Sequence, residues 1–439
     1  MLLGFVLTLT AAVVGVWHIA SRDRPLHGPS DDGTLGLPHL QRWSEAQPKR
    51  RFGWLRESVP LLDIGRIMLG LVGIAVAVGL VLGGLFIWRQ VTETPAQEAA
   101  SNLGEIVTLH ARANASADPA TRYSLLVDAE QAAEAALASA PAAQADSISA
   151  ELASVQEDLD RLTNMVRLDS IQPIGSVPKA AGAALPTLFT GNGRTYLLAD
   201  ALYEVEIGSN LLVELLRPGA MVAGVMVGPL VGGAWRGDGP VVVDAERAYA
   251  FDPVRGEWDW ETLGKLEEGA PLSAEITSAG VFDLNLYLLD GATGRILKFT
   301  GGDYEAEPED WAAGVATEEL MRATDVAIDG NIYVLMPDGS ILKFFLSNLQ
   351  ALIQPRIQPA FDSASALTTA ASGFYVVNGS DGRIARISDD GTLLQQFSPR
   401  DPDMEITDLR DVVVDESTGI ALLLTGDALY TTRLVAGQQ

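Results

Sequence analysis

Three acidic residues, Glu275, Asp325 and Asp411, have the type and spacing that could do chemistry in this chain. Each stands at the start of a short apolar segment, at the same place in a repeating unit. We therefore expect the three carboxylates to lie close together, where they could hold a hard cation such as Ca²⁺ through oxygen ligands. The alternative is that they accept hydrogen bonds from backbone N–H groups where strands begin, or face water as most acidic side chains do.

Histidine and cysteine chemistry is excluded from the C-terminal part of the chain. The four histidines are His18, His27, His39 and His110, and the sequence has no cysteine. Residues 169–439 therefore have neither a Ser-His-Asp triad nor a metal held by histidine or thiolate. We predict that the protein is not an enzyme and that it needs no cofactor, a divalent cation excepted.

Two tryptophans, Trp258 and Trp260 in GEWDWETLG, are candidate ligand-binding residues. Exposed aromatic rings beside acidic side chains could stack on sugars or grip a peptide. The alternative interpretation, which the sequence favours, is that the two rings fill gaps between neighbouring structural units.

The elements that would position these side chains form an internal repeat. A strand-turn-strand pattern occurs six times, and an equivalent residue in each first strand recurs after 46, 45, 46, 42 and 46 residues. Asp, Asn, Gly or Pro follows these strands, as tight turns require. We call the six equivalent residues the anchor residues; they are Tyr196, Val242, Tyr287, Tyr333, Tyr375 and Ala421.

A period of 40–50 residues with three or four short strands per unit is typical of a β-propeller, whose blades close into a ring. We therefore predict a mainly β fold, a six-bladed β-propeller, over residues 169–439. The last unit stops soon after its third strand. Its outermost strand should come from residues 169–190, before the first blade, so that the edge of the sheet is covered.

The segment DVAIDGNIYVLMPDGSILKF resembles the NHL-type propeller repeat, and DVVVDESTGIALLL and LYLLDGATGRILKF match parts of it. Over about 180–437 the chain is therefore similar to six-bladed propellers of the NHL and TolB-like kind. A resemblance to the gluconolactonase-like propellers would imply a divalent cation held in the central channel by a Glu, Asn and Asp set. Glu275, Asp325 and Asp411 are the loose acidic matches to that set.

Two apolar segments predict membrane spans. Residues 67–88 are uncharged over about the 20 residues that cross a bilayer core, and they end at an interfacial Trp88. We assign 67–90 to this transmembrane helix. Residues 1–20 are similarly apolar and lack the basic start of a secretory signal peptide, so we predict a second span there. A cleaved signal sequence is the alternative for residues 1–20.

Charge sets the predicted orientation in the membrane. The segment 21–66 holds eight Lys and Arg, whereas residues 91–439 carry 21 Lys and Arg against 51 Asp and Glu, a formal net charge of −30. The positive-inside rule places the loop 21–66 in the cytoplasm and the C-terminal domain outside it, in a two-pass protein of the cell membrane. The acidic surface would repel nucleic acid, so we expect no nucleic-acid partner.

An Ala-rich helical segment, 91–168, is predicted between the membrane and the repeats. Apolar residues spaced alternately by four and three indicate one helix, and Asp118-Pro119 marks the start of another over about 118–138. We interpret the pair as a helical hairpin that serves as a stalk; a dimerising coiled coil or a helical-repeat surface is the alternative. The apolar stripe is Ile148, Leu152, Val155, Leu159, Leu162 and Val166.

Together these features predict a non-enzymatic, membrane-anchored binding or scaffold module. Its partner would be a protein, peptide or glycan bound on a face of the propeller outside the cytoplasm, with the lipid bilayer engaged through 1–20 and 67–88. Two alternatives remain open. One is a sensor that relays an external signal to a cytoplasmic partner of segment 21–66. The other is a gluconolactonase-like hydrolase that uses a divalent metal.

Overall fold

The structure is a computed structural model, and it describes part of the predicted membrane region. The predicted span 1–20 and the loop 21–66 lie outside the described residues, and the span 67–88 is described only at 76–83, which are helical. No helix within the described residues is both long and apolar enough to cross a membrane. The described residues are 76–83, 95–179, 185–266, 276–312, 314–371, 373–400, 406 and 408–434.

From residue 165 onward, the described chain consists mainly of short β-strands. In chain order these are β1 (Met165–Leu168), β2 (Ile171–Ser176), β3 (Thr187–Gly191), β4 (Arg194–Leu198), β5 (Leu202–Glu206), β6 (Leu211–Leu216), β7 (Met221–Val222), β8 (Val225–Met226), β9 (Gly232–Trp235), β10 (Pro240–Val243), β11 (Arg247–Asp252), β12 (Glu257–Thr262), β13 (Ile276–Phe282), β14 (Asn285–Asp290), β15 (Arg295–Phe299), β16 (Glu309–Asp310), β17 (Asp325–Ile328), β18 (Ile332–Leu335), β19 (Ile341–Phe345), β20 (Asn348–Ile353), β21 (Ala364–Ala370), β22 (Gly373–Asn378), β23 (Arg383–Ile387), β24 (Leu393–Pro399), β25 (Leu409–Asp415), β26 (Ile420–Thr425) and β27 (Ala428–Arg433).

Consecutive strands pair into six sheets, which we call blades 1 to 6. Blade 1 is β3–β6, blade 2 is β9–β12, blade 3 is β13–β16, blade 4 is β17–β20, blade 5 is β21–β24, and blade 6 begins with β25–β27. The first strand of each blade lies beside the first strands of both neighbouring blades, in the order β3, β9, β13, β17, β21, β25 and back to β3. The sheets therefore close into a ring. This is a six-bladed β-propeller, as the repeat predicts.

Burial explains why the second strand of each blade gives the strongest repeat signal. Each of these strands is covered by its neighbours in the blade and by the adjacent blades, and all six anchor residues are exposed by 7% or less. The turns that follow use aspartate as expected. The carboxylate of Asp290 accepts hydrogen bonds from the backbone N–H groups of Ala292 and Thr293. In the same way, the carboxylate of Asp244 accepts hydrogen bonds from the backbone N–H groups of Glu246 and Arg247.

The outermost strand of blade 6 comes from the region before blade 1, as predicted. Strand β2 pairs antiparallel with β27, with Ile171 opposite Thr432 and Ser176 opposite Ala428. Ile174, buried in the same strand, packs in an apolar cluster whose members come from blade 6 and blade 1. The ring is therefore closed by pairing a strand from before blade 1 with the C-terminal hairpin, which also covers a sheet edge.

Between residue 95 and the propeller, the structure describes three helices: α1 (Pro95–Ala115), α2 (Pro119–Leu137) and α3 (Ala142–Leu162). The start of α2 is confirmed, because the carboxylate of Asp118 accepts a hydrogen bond from the backbone N–H of Thr121 at 2.9 Å. The predicted hairpin corresponds to α2 and α3, which pack against each other, and α1 packs against both of them, so the region has three helices instead of the two predicted. The buried side chains of α1 include His110 and Ala113, which are too polar and too small to give a clear apolar stripe.

Strand β1 joins the helical region to blade 5. It pairs parallel with β24 and makes blade 5 five-stranded. Val166, predicted as the last residue of the helical stripe, lies in β1, so that prediction is wrong. Helix α3 ends at Leu162, and Asn164 then takes a left-handed conformation with φ of 53°. A fourth, short helix, α4 (Thr317–Leu320), lies between blades 3 and 4.

Candidate functional site

Two of the three candidate carboxylates lie at one end of the central channel. Asp325 is the first residue of β17, and Asp411 is the third residue of β25. The negative charge of Asp325 acts on Asp411, so the two side chains share one electrostatic environment. Glu275 lies outside the described residues, so the structure brings together two members of the predicted set.

Asp325 links three neighbouring blades through its two carboxylate oxygens. Oδ1 accepts a hydrogen bond from the hydroxyl of Ser278 in blade 3 at 2.6 Å. Oδ2 accepts one from the backbone N–H of Leu367 in blade 5 at 2.7 Å. A side chain at the start of an inner strand can reach both neighbours because the first strands converge around the channel.

Asp411 makes the corresponding link between blade 6 and blade 1. Its Oδ2 accepts hydrogen bonds from the hydroxyl of Thr187 at 2.9 Å and from the backbone N–H of Leu188 at 2.7 Å. Its Oδ1 accepts one from the backbone N–H of Val412 at 2.7 Å. The two carboxylates thus join five of the six blades at the channel end.

Burial is the main cause that raises the pKa of both carboxyl groups above the usual aspartate range. For Asp411 the charge of Asp325 raises the pKa further, while the hydrogen bonds that both groups accept act in the opposite direction. A carboxyl group whose pKa is higher in the folded than in the unfolded state stabilises the fold in mild acid. This stabilisation is lost as the pH rises through the folded-state pKa. The channel end is therefore held together best when at least one of the pair carries a proton.

The cation site predicted from Glu275, Asp325 and Asp411 stays a prediction. Within the described residues, which exclude Glu275, no group of three or more His, Cys, Asp or Glu side chains is arranged to hold a metal ion. Both described carboxylates accept hydrogen bonds from the backbone of neighbouring strands, which is the alternative role that the sequence left open. Asp325 and Asp411 therefore each link neighbouring blades, with or without a bound cation.

A cavity of about 500 Å³ opens at this end of the channel. Blades 1, 3, 4, 5 and 6 contribute to its walls because their first strands begin here. Hydroxyl and carboxylate groups supply much of its polar lining, with Arg410 as a cation. These groups are Thr187, Thr277, Thr324, Ser363, Ser365, Ser380, Asp325, Asp408 and Asp411.

Several hydrogen-bond donors of the lining are used within the protein. Thr187 donates its hydroxyl proton to Asp411, and Ser365 donates its own to the backbone carbonyl of Leu409 at 2.8 Å. Arg410 is already paired with both carboxylate oxygens of Asp408 at 2.9–3.1 Å. Because these donors are used within the protein, the cavity suits a ligand that brings hydrogen-bond donors of its own.

Trp258 and Trp260 lie far along blade 2, on its outermost strand β12, and do not line the channel cavity. Both rings are half-buried and pack against the apolar cluster that contains Tyr249. The ring of Trp258 is 5.4 Å from that of Phe251, and the guanidinium of Arg247 lies 5.7 Å from the ring of Trp260. Packing against the blade is therefore observed, and ligand binding by the two rings stays a prediction.

No family model matches this chain, and no curated protein matches it. Among solved structures, the PQQ-bound aldose sugar dehydrogenase from Streptomyces coelicolor is 14% identical, with a TM-score of 0.40 over 60% of this chain and 98% of that one. YCF48 from Cyanidioschyzon merolae is 12% identical, with a TM-score of 0.39 over 59% of this chain and 97% of that one. At such low similarity the propeller fold rests on the strand topology of this chain itself.

Sequence reasoning missed the hydroxyl groups around the two carboxylates. Thr187 begins β3 and Ser365 is the second residue of β21, close to the place that Asp325 occupies in β17. Comparing the first strands of all six units could have found these positions, because they face the same channel. Asp408 lies just before β25 and Arg410 is its second residue. No repeated sequence pattern indicates this ion pair.

Proposed function

We propose that this protein is a membrane-anchored, non-enzymatic binding module whose propeller lies outside the cytoplasm. Its partner is a protein that inserts an extended segment into the cavity at the channel end. The observation that carries the proposal is the cavity of about 500 Å³, walled by five blades, whose polar lining consists of hydroxyl and carboxylate groups together with Arg410. A cavity of this size and lining is typical of a site for a few side chains of a partner.

The chemistry of the cavity favours a partner segment that carries Lys or Arg. Ammonium and guanidinium groups are donors without acceptors, which complements hydroxyl and carboxylate oxygens whose own donors are used elsewhere. The net charge of the whole chain, −27, would also steer a basic segment toward the protein. A neutral glycan would supply hydroxyl donors but would gain nothing from this charge.

A bulky substitution at Thr277 is expected to block the site. Thr277 lines the cavity and is half-buried, so Thr277→Trp should fill the space without opening the ring. Peptides selected from a displayed random library on the full chain in detergent should be enriched in Lys and Arg. Fluorescence anisotropy with the selected synthetic peptides should show binding to Thr277→Trp weakened by about tenfold or more.

Gln350→Trp is the matched control, because Gln350 is exposed on the outermost strand of blade 4, away from the channel. It should bind the peptides as the unchanged protein does. Equal binding to Thr277→Trp, or a library that yields no basic enrichment, would contradict the proposed site. Neutral oligosaccharides that bind the unchanged protein but not Thr277→Trp would assign the cavity to a glycan instead.

The proposed membrane topology can be tested by thiol labelling, because the chain has no cysteine of its own. We expect Gln350→Cys to react with a membrane-impermeant maleimide on intact cells. Ser44→Cys, in the basic segment 21–66, should react only after lysis. Labelling of Ser44→Cys on intact cells, or protection of Gln350→Cys, would contradict the orientation.

A further inference from the structure

A histidine in the helical region is held between two carboxylates of another helix. His110 lies on α1 and is 8% exposed. Its Nδ1 is 2.7 Å from Oε1 of Glu151, and its Nε2 is 3.0 Å from Oδ2 of Asp158, both on α3. Each ring nitrogen therefore has its own carboxylate partner.

This geometry requires a proton on both ring nitrogens. An ionised carboxylate can only accept, so two such partners can be satisfied only by the imidazolium, which donates from Nδ1 and from Nε2. A neutral imidazole would turn one lone pair toward a carboxylate oxygen. Burial alone would lower the pKa of His110, and the hydrogen bonds and charges of Glu151 and Asp158 outweigh it, so the pKa is raised.

Other charged groups near the cluster are already occupied. Asp158 is also paired with Arg161 on α3, and the hydrogen bond from His110 is the main cause that lowers the pKa of Asp158. From α2, Arg122 donates to Asn114 on α1 at 3.3 Å. Also on α2, Glu130 accepts a hydrogen bond from Gln156 at 3.2 Å. We therefore take the charge of His110 to be the one that changes with pH at the contact between α1 and α3.

The rest of the packing between the helices is modest. His110 lies between two small clusters, one that includes Ile106 and one that includes Ala113. Many of the buried side chains that α2 contributes to these clusters are alanines, which bury little apolar area each. The ionic link of His110 with Glu151 and Asp158 therefore adds to an α1–α3 contact whose apolar packing is modest.

We propose that His110, Glu151 and Asp158 form a proton-dependent clamp that fastens α1 to α3 and loosens this contact when His110 becomes neutral. In the sequence, α1 follows the predicted span 67–88, whereas α3 leads through β1 into blade 5. The clamp thus lies on the path between the predicted membrane anchor and the propeller. The clamp would make the link between the predicted membrane anchor and the propeller depend on pH. This inference does not depend on what the channel cavity binds.

Hydrogen exchange of the full chain in detergent, followed by mass spectrometry, tests the clamp. A histidine whose pKa is raised on folding stabilises the fold below its unfolded pKa and stops doing so above its folded pKa. Corrected for the intrinsic rate, exchange of α1 should therefore accelerate between about pH 6 and about pH 9, by about tenfold for each pKa unit of the rise. Peptides from β11 in blade 2, the blade that neither channel carboxylate joins, should show no such change.

His110→Gln should remove the effect, with α1 exchanging at about the same corrected rate at both pH values. Should this variant fail to fold, Glu151→Gln serves instead, because it removes one charged acceptor and should move the transition to lower pH. A pH dependence that survives in His110→Gln would overturn the proposal. Acceleration of β11 in parallel with α1 would also overturn it, because the change would then be global unfolding.

Discussion

Arg383→Met is expected to lower the free energy of unfolding by about 3 kcal/mol. Arg383 is 5% exposed, and its Nη1 donates to the carbonyl of Pro359 at 2.9 Å and to Oε1 of Gln396 at 3.0 Å. Its guanidinium also lies 5.0 Å from the ring of Phe361. Methionine keeps the stem but leaves the buried Oε1 of Gln396 without this donor and removes the contact with the Phe361 ring, and an unsatisfied buried acceptor alone costs about 1–3 kcal/mol.

The loss should spread beyond blade 5, because Gln396 links that blade to the helices. Gln396 is fully buried, and its Nε2 donates to the carbonyl of Thr163, at the end of α3, at 2.8 Å. Without Arg383 the amide of Gln396 keeps the donations of its Nε2 to the carbonyls of Thr163 and Gln358 but loses the donor at its Oε1. Urea unfolding followed by circular dichroism measures the total loss, and hydrogen exchange of α3 reports whether the helices loosen as well.

Arg400→Met is the matched control for this prediction. Arg400 pairs with Asp169, so it also joins β24 to the chain around β1, but both side chains are more than half exposed. An exposed ion pair adds little, and we expect a change within about 0.5 kcal/mol. Equal losses in the two variants would show that the buried network does not stabilise blade 5 as described.

Ile174→Ala is expected to destabilise the closed ring by about 3 kcal/mol. Ile174 is 7% exposed in β2, where it packs in the cluster shared by blades 6 and 1. The cavity left by the missing atoms lies at the joint that closes the ring, so the first and last blades both lose contacts. Urea unfolding measures the loss, and limited proteolysis should cut the mutant faster near β2 than the unchanged protein.

Gln172→Ala tests whether the effect belongs to the closure or to any change in β2. Gln172 is exposed on the same strand, two residues away, and we expect a change within about 0.5 kcal/mol. A small loss in Ile174→Ala, close to that of Gln172→Ala, would mean that ring closure does not depend on packing at this joint.

The blades were predictable because their signal is local. The second and third strands of each blade are joined by a tight turn, so apolar residues and turn residues recur together within 14 or so positions. Tyr333 and Tyr375, for example, are buried at the same point of consecutive blades. The closing strand followed from the same pattern, since a blade that lacks its outer strand leaves an exposed edge.

The helical region was harder to predict because its packing depends on small and polar residues. Helix α1 turns His110 and Ala113 inward, and neither contributes to an apolar stripe. Val166 fits the stripe of α3 by spacing, yet pairing with β24 takes it into a strand. In both places, partners distant in sequence decided the local structure.

By itself the sequence determined the number of blades, the strand that closes them and the place of Asp325 and Asp411 at the start of inner strands. These features depend on periodicity and turn chemistry, which act between near neighbours in the chain. Only the tertiary structure decided that both carboxylates bridge blades, that hydroxyls from four blades line one cavity, and that His110 meets Glu151 and Asp158. Such contacts join residues more than 40 positions apart, and folding alone brings them within hydrogen-bonding distance.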